Sequence, residues 1–309
     1  MAPTGPVIVT GGAGFIGSTL QDALVAAGRE VHVIDNLATG HRRNLNAQAT
    51  FHEVDIRDAD AVATVARESG AATIFHMAAQ ADVRKAIENP AFDADVNIGG
   101  TLSVLEAARI NGARVIFAAT GGGAYGEYDG LPIPTSEADE PRPMSHYGQS
   151  KLAGEAYCAL YGRLYGLPTV RLRLGNVYGP RQDPHGEAGV VAIFSGKLID
   201  GEPMKVFGDG LQTRDYVFVG DVVDAFMRAE QRGTDMTLNI GTGREVSVLD
   251  LVRILGGGDP EFAPARAGEL QRSCLNASLA KETLGWSPSV TVEEGLPLTH
   301  AALVAARGA

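Results

Sequence analysis

The feature that most restricts the fold of this chain stands near its start. Val7-Ile8-Val9-Thr10 runs directly into Gly11-Gly12-Ala13-Gly14-Phe15-Ile16-Gly17, and a helical pattern follows. The first run is β-favouring and too short to be a helix, so it reads as a buried strand. Glycines at 11, 14 and 17 remove side chains that would hold a backbone away from a phosphate. The helix that follows offers N–H donors and the positive end of its dipole. Strand, glycine turn and helix in that order open a parallel βαβ unit. The bland alternative is a tight structural turn, and a glycine triplet alone does not separate the two.

The same alternation continues. Short runs rich in Val, Ile or Phe predict strands over 7–10, 30–34, 50–54, 73–77, 114–119 and 169–174. Amphipathic stretches predict helices over 14–27, 59–68, 92–111 and 145–165. The expected fold class is α/β, a Rossmann-type doubly wound parallel sheet with helices on both faces. Beyond about residue 175 turn signals multiply, at Gly179-Pro180, Asp183-Pro184, Gly208-Asp209-Gly210 and Gly256-Gly257-Gly258-Asp259-Pro260. We expect a cofactor-binding domain over 1–175 and a smaller C-terminal lobe over 176–309, with some later segments interleaved with the first domain.

Composition removes several function classes. The 309 residues carry a net charge of −11 with no basic block. A nucleic-acid groove needs clustered Lys and Arg, so none is expected. Cys158 and Cys274 stand in no Cys-x-x-Cys pair, which argues against a disulfide framework or a zinc site. No apolar run approaches the roughly 20 residues of a membrane helix. The N-terminus lacks the basic and apolar regions of a signal peptide. Cytoplasmic location is the expectation. Asp183-Pro184-His185-Gly186-Glu187 has metal-capable atoms in a spacing that fits no ligand set, so no metal is expected.

Candidate chemistry sits at strand ends, where ligands bind in such folds. Asp35 closes the second strand, 18 residues beyond Gly17. A carboxylate there can accept both ribose hydroxyls of an adenosine and would repel a 2′-phosphate. This favours NAD over NADP, although Arg42 and Arg43 stand nearby. Asp55-Ile56 closes the third strand, where an acid could meet the adenine amine and an apolar residue its face; an ordinary strand-end Asp is the alternative. Thr120 ends the fifth strand before Gly121-Gly122-Gly123. Tyr147 and Lys151 are four apart on a predicted helix and share a face. A free phenol has a pKa of about 10 and is a poor base. A neighbouring ammonium favours the phenolate and moves that value toward neutrality. Tyr147, Lys151 and the Thr120 hydroxyl could therefore take a proton from an alcohol. His76 follows an apolar strand and reads as a packed, hydrogen-bonded histidine. His146 reads as solvent-facing and Cys274 as a small buried side chain.

Taken together these residues resemble the extended short-chain dehydrogenase/reductase family, and within it the NAD-dependent UDP-glucose 4-epimerases. The resemblance covers essentially the whole chain. It is carried by Thr10 to Gly17, Asp35-Asn36-Leu37-Ala38-Thr39-Gly40, His76-Met77-Ala78-Ala79, Thr120 with Tyr125-Gly126, and Tyr147 to Lys151. Further pieces are Asn176 to Arg181, Arg214-Asp215-Tyr216 and Asn239-Ile240-Gly241-Thr242-Gly243.

The resemblance implies reversible inversion at C4 of a UDP-hexose through a transient 4-keto sugar, with NAD held throughout. Tyr147 would be the base, Lys151 would bind the nicotinamide ribose, and Thr120 would bond the same sugar oxygen. Gly11, Gly14, Phe15, Ile16, Gly17, Asp35, Asn36, Ala38, Thr39, Gly40, Asp55, Ile56, Met77, Ala78, Ala79 and Gln80 would contact NAD. Asn176, Val190, Phe207, Arg214, Arg266 and Glu269 would grip the UDP part. Arg214 and Arg266 suit a diphosphate because guanidinium groups bind phosphate in a bidentate way, with a surface ion pair as the alternative for either. Phe207 could pack on uracil.

Ser273 stands where an aromatic in the family narrows the sugar pocket, so UDP-N-acetylglucosamine and UDP-N-acetylgalactosamine are further expected substrates. Family members pair through a four-helix interface, here 92–111 and 145–165, so a homodimer is expected. Nucleotide-sugar 4,6-dehydratases share the fold and the Tyr/Lys pair, but need an acid and a base after the Thr, where Gly121 and Gly122 stand. UDP-glucuronate decarboxylases carry a Glu in that turn. A UDP-glucuronate 4-epimerase remains open, as does a non-catalytic sensor of NAD or nucleotide sugars.

Overall fold

Each short apolar run of the first half forms a strand, and helices fill the stretches between. The computed structural model describes residues 5–184, 189–266 and 268–307. The first half comprises β1 (Val7–Thr10), α1 (Phe15–Ala26), β2 (Val31–Asp35), β3 (Thr50–Glu53), α2 (Ala59–Ser69), β4 (Thr73–His76), α3 (Val83–Glu88), α4 (Pro90–Ala94), α5 (Gly100–Asn111), β5 (Arg114–Thr120), α6 (Gly122–Tyr125), α7 (His146–Tyr165) and β6 (Thr169–Leu174). The chain continues with β7 (Asn176–Tyr178), α8 (Val190–Asp200), β8 (Lys205–Phe207), β9 (Thr213–Arg214), β10 (Tyr216–Phe218), α9 (Val219–Arg232), β11 (Met236–Ile240), β12 (Val246–Ser247), α10 (Val248–Leu255), β13 (Glu261–Ala263), β14 (Arg272–Ser273), α11 (Ser278–Leu284) and α12 (Val292–Arg307).

Seven strands pair in the order β11-β6-β5-β4-β1-β2-β3. Every pair is parallel. Successive side chains point to opposite faces of a strand, and here both faces are covered. Val7, Val9, Val33, Phe75 and Ile116 belong to one core; Ile8, Ile34, Ile74, Val115 and Phe117 belong to the other. That is why these strands read as unbroken apolar runs rather than alternating ones. The chain leaves β1 toward β2 and β3, then returns to place β4 on the other side of β1. Such a reversal opens a crevice at the carboxyl ends of the strands. Thr10 of β1 and His76 of β4 are register partners at that point.

Local features depart from the sequence expectation. The predicted 92–111 stretch is helical throughout but not uniformly α: α4 passes through a single wide turn, Asp95–Gly99, with π-type spacing before α5 begins. Pro90 at its first turn and the Asn89 side chain, which accepts from Phe92 N at 3.1 Å, start α4 early. Helix α3 is an addition, begun by Asp82 accepting from Arg84 N at 2.8 Å. Strand β11 lies beyond residue 230 in sequence and pairs with β6 at the edge of the central sheet, so a later segment is part of that sheet.

One buried ion pair ties these layers. Arg173 of β6 and Glu155 of α7 are both buried and meet fork to carboxylate at 2.6 and 2.9 Å. Arg173 Nη1 also donates to Tyr125 Oη at 2.7 Å, and that hydroxyl donates to Asn239 Oδ1 of β11 at 3.0 Å. Desolvation makes such a pair a weak source of net stability, but it fixes which side chains face each other. It registers α7, β6, α6 and β11 against one another.

Candidate active site

The glycine turn after β1 is set by close approach. Gly11 has φ +70°, and a Cβ there would lie 2.7 Å from Ala78 N. A Cβ on Gly17 would lie 2.2 Å from Gly11 O, so α1 packs directly onto the turn. Gly14 begins α1; no side chain caps it, and the first turn, with Phe15 and Ile16, holds no acidic residue. Helix N-termini in this condition suit an anion. Asp35 accepts from Ala13 N at 2.9 Å and Leu37 N at 2.8 Å. Burial raises its carboxyl above the ordinary value despite those bonds. Gly40 lies against Ala13, where a Cβ would come within 2.8 Å; Ala38 and Thr39 are exposed beside it.

Asp55 is bound by Arg57 at 2.8 and 3.0 Å and by Asn36 Nδ2 at 2.8 Å. The Arg57 guanidinium holds that carboxyl well below its usual range. Ile56 is buried against Gly100. Arg42 pairs with Glu53 and lies over Phe51. Met77 and Ala78 each donate a backbone N–H to Thr10 Oγ1 at 3.2 Å, and Ala79 follows half-buried. The buried Gln80 side chain serves the loop itself, donating to Asp93 Oδ1 at 2.8 Å and Asp82 O at 3.0 Å. Together, a cradle that any Cβ would fill, an uncapped helix start and a strand-end carboxylate fit a dinucleotide.

The chemistry end is built on α7. Ser145 starts it by accepting from Gly148 N at 3.0 Å. Its buried face runs Gly148, Lys151, Gly154, Glu155 and Cys158, with Tyr147 half-buried in the first turn. Lys151 is buried, and its Nζ stands 4.2 Å from the centre of the Phe117 ring. Burial lowers its pKa to about 8, against the opposing pull of Cys158, Asp93 and Glu155.

His76 is neutral, its pKa pushed to about 3 by burial and by the Lys151 charge. Thr101 Oγ1 donates to Asn97 O at 2.6 Å. That commitment assigns the His76 proton to Nε2, which donates to Thr101 Oγ1 at 3.1 Å, and leaves Nδ1 to accept from Thr10 Oγ1 at 2.7 Å. His76 is thus scaffold, as its sequence context suggests. Thr120 Oγ1 accepts from Gly123 N at 3.2 Å. A Cβ on Gly148 would lie 2.3 Å from Gly123 O. This approach of two glycines sets the first turn of α7, with Tyr147, against the turn that follows Thr120.

The third part comes from short strands. Arg214 of β9 and Ser273 of β14 are register partners in a parallel pair. Arg214 donates to Thr213 O at 2.8 Å and stands 3.8 Å from Glu269. Asn176, at the start of β7, donates its N–H to Asp215 O at 2.7 Å. A Cβ on Gly122 would lie 3.4 Å from Ser273 Oγ and 3.5 Å from Asn176 Oδ1. The turn after Thr120 therefore meets Asn176 and Ser273. Arg266 stacks over Phe207 at 3.8 Å, and so covers one face of that ring. Val190 opens α8 and packs partly on the core of the C-terminal lobe. His185, Gly186 and Glu187 of the metal-capable stretch lie outside the described residues.

Two residues have no role assigned from sequence. Asp215 is buried and accepts from Thr242 N (2.7 Å), Thr242 Oγ1 (2.6 Å), Gly243 N (3.1 Å) and Leu275 N (3.1 Å). It joins the strand of Arg214 to the segment that carries Ser273. An acid directly before the apolar run Tyr216-Val217-Phe218 is the available cue. Phe117 is the other; in sequence it is one more core residue of a strand.

The model of the NAD dependent epimerase/dehydratase family matches residues 7–241. The UDP-glucose 4-epimerase of Mycolicibacterium smegmatis is 47% identical over 304 residues, covering 94% of this chain and 96% of that protein. A crystal structure of UDP-glucose 4-epimerase from Thermotoga maritima with UDP-glucose superposes with a TM-score of 0.95 at 44% identity, over 98% of this chain and 99% of that one. The Thermus thermophilus UDP-glucose 4-epimerase in complex with NAD superposes with a TM-score of 0.92 at 44% identity, over 97% and 99%.

Replacing Asp215 by Asn turns an NH2 toward backbone donors. Asp215→Asn should lower stability by about 1–3 kcal/mol, read from the urea midpoint. An unchanged midpoint would contradict the joining role.

Proposed function

Because this chain belongs to the NAD dependent epimerase/dehydratase family, we propose that it inverts C4 of a UDP-hexose, interconverting UDP-glucose and UDP-galactose. The observation that carries the proposal is the close approach of the turn after Thr120 to the first turn of α7 with Tyr147, with Lys151 buried one turn further along that helix. Identity of 44–47% to UDP-glucose 4-epimerases over nearly the whole chain supports the substrate class.

When bound, NAD supplies the hydride acceptor and donor for C4. The protein supplies proton transfer and orientation. Tyr147 takes the 4-hydroxyl proton as a phenolate and later returns it. Lys151, held charged beside it, stabilises that phenolate and binds the nicotinamide ribose. Thr120 bonds the same sugar oxygen and fixes its direction. Gly11, Gly14, Gly17, Asp35 and the backbone of Met77 to Gln80 hold the dinucleotide. Arg214 and Arg266 bind the diphosphate, with Asn176, Val190, Phe207 and Glu269 around the uridine.

Inversion requires the ketone to present both faces in turn, so the sugar must rotate while the nucleotide stays fixed. Gly122 and Ser273, which meet at the turn after Thr120, are small and would leave space for that rotation. The same space supports N-acetylated hexoses as additional substrates. Gly121 and Gly122 can neither give nor take a proton, which disfavours dehydration across C5 and C6. The intact Thr120, Tyr147 and Lys151 set favours an enzyme over a sensor.

We also propose a homodimer formed by the α5 and α7 faces. Exposed Ile110, Leu164 and Tyr165 support it. Two buried free thiols fit a reducing, cytoplasmic setting. Among the described residues no helix is long and apolar enough to cross a membrane.

The direct test incubates the enzyme separately with UDP-galactose, UDP-N-acetylgalactosamine and UDP-galacturonate, with products read by NMR. UDP-glucose from the first is expected, and no conversion in any tube would overturn the proposal. Tyr147→Phe should cut kcat by about 10²–10⁴-fold with NAD content and melting temperature retained; near wild-type turnover would remove Tyr147 from its role. Light scattering should give a dimer mass, and a monomer would refute the pairing of α5 and α7.

A further inference from the structure

We propose that the face of Phe117 is what holds the Lys151 ammonium in position, attracting it without neutralising it. Phe117 would then be a positioning residue for the Tyr147–Lys151 pair, and the inference rests on the roles given to that pair above. Both side chains are buried, and the ammonium nitrogen stands 4.2 Å from the ring centre. That is cation–π range, and the attraction is strongest where water is excluded.

The ring is itself immobilised. Its neighbour His76 lies 5.6 Å away with ring planes tilted by 45°. His76 is pinned at both nitrogens by Thr10 and Thr101, at 2.7 and 3.1 Å. The ring tip enters α7 at Gly154, where a Cβ would lie 3.1 Å from Cζ. Phe117 also precedes Thr120 on β5. One strand thus presents the surface under the cation and, at its carboxyl end, the Thr120 hydroxyl.

The nearby carboxylates are engaged elsewhere. Glu155 is held by Arg173 at 2.6 and 2.9 Å. Asp93 accepts from Gln80 Nε2 at 2.8 Å and Asn97 Nδ2 at 3.2 Å. A carboxylate in direct contact would cancel the ammonium's field at Tyr147. A π face attracts the cation, leaves its charge whole and leaves its three N–H donors available.

The test weakens the ring face while keeping its shape. Phe117 is replaced by 3-fluoro- and 3,5-difluorophenylalanine, with the para position left free because it faces Gly154. The titratable and charged groups around Lys151 are Tyr147, Glu155 and Cys158 on its own helix, Asp93 on α4, His76 on β4 and Arg173 on β6, and all stay in place. The readout is the ¹³Cε titration of Lys151 by NMR in the NAD-bound enzyme. Only five lysines occur in the chain, so Lys151→Met assigns the signal.

The midpoint should fall stepwise with fluorine number, by about 0.5 pH unit in all, roughly threefold in proton affinity. The alkaline limb of the kcat–pH profile should move by the same amount and the acid limb should stay. A Lys151 midpoint that is constant or rises across the series overturns the inference, whatever happens to turnover. If Tyr147→Phe is inactive and the midpoint is constant, Phe117 alone loses its role. If Tyr147→Phe remains active, the pair loses its role and the inference falls with it.

Discussion

An ammonium in a protein interior is unfavourable unless its surroundings compensate, and the active site is arranged around that constraint. Burial depresses the Lys151 pKa to about 8, low for a lysine yet high enough for much of it to remain charged near neutrality. The environment is divided accordingly. Glu155 and Asp93 lower the local potential while being held by other partners. His76, buried and neutral, adds no competing positive charge. The Phe117 ring lies directly against the cation. A contact carboxylate or an added positive charge would leave a neutralised or unprotonated lysine, and in the proposed mechanism Tyr147 would then lose the charge that favours its phenolate.

The cofactor end and the chemistry end are joined by hydrogen bonds rather than by proximity alone. Thr10, at the end of β1, donates to His76, which donates to Thr101, which donates to Asn97 O. Asn97 Nδ2 donates to Ser150 Oγ at 3.0 Å, and Ser150 Oγ donates to Tyr147 O at 3.0 Å. The wide turn at Asp95–Gly99 sets Asn97 between Gln80, Asp93 and Ser150. The glycine turn after β1 and the first turn of α7 therefore share one scaffold. A shift of one would be transmitted to the other.

Much of this fold is legible from sequence for a simple reason. Parallel strands buried on both faces must be apolar throughout, and the six strands of the first half appear as such runs. β11 is harder, because Asn239 interrupts it and its partner β6 lies more than 60 residues earlier. Helical periodicity runs through 92–111 without marking the wide turn, since one π-type turn of five residues is too short to stand out in the pattern. Arg171 and Arg173 in β6 could have signalled buried pairing, but nothing in the sequence names Glu155 or Asp235 as their partners. Many candidate residues drawn from motifs are found at strand ends and in the turns beside them, while Tyr147 and Lys151 lie on α7. Asp215 and Phe117 were not among them, because a joining acid and a ring under a cation are defined by neighbours distant in the chain.

The central claim is that Tyr147 ionises because the Lys151 ammonium lies one helical turn away. The most direct measurement is a near-ultraviolet difference titration of the phenolate in the NAD-bound enzyme, with Tyr147→Phe identifying its signal, compared with the same titration in Lys151→Met. The account predicts that the Tyr147 midpoint rises by at least about one pH unit when the ammonium is removed. An identical midpoint in the two proteins would contradict it.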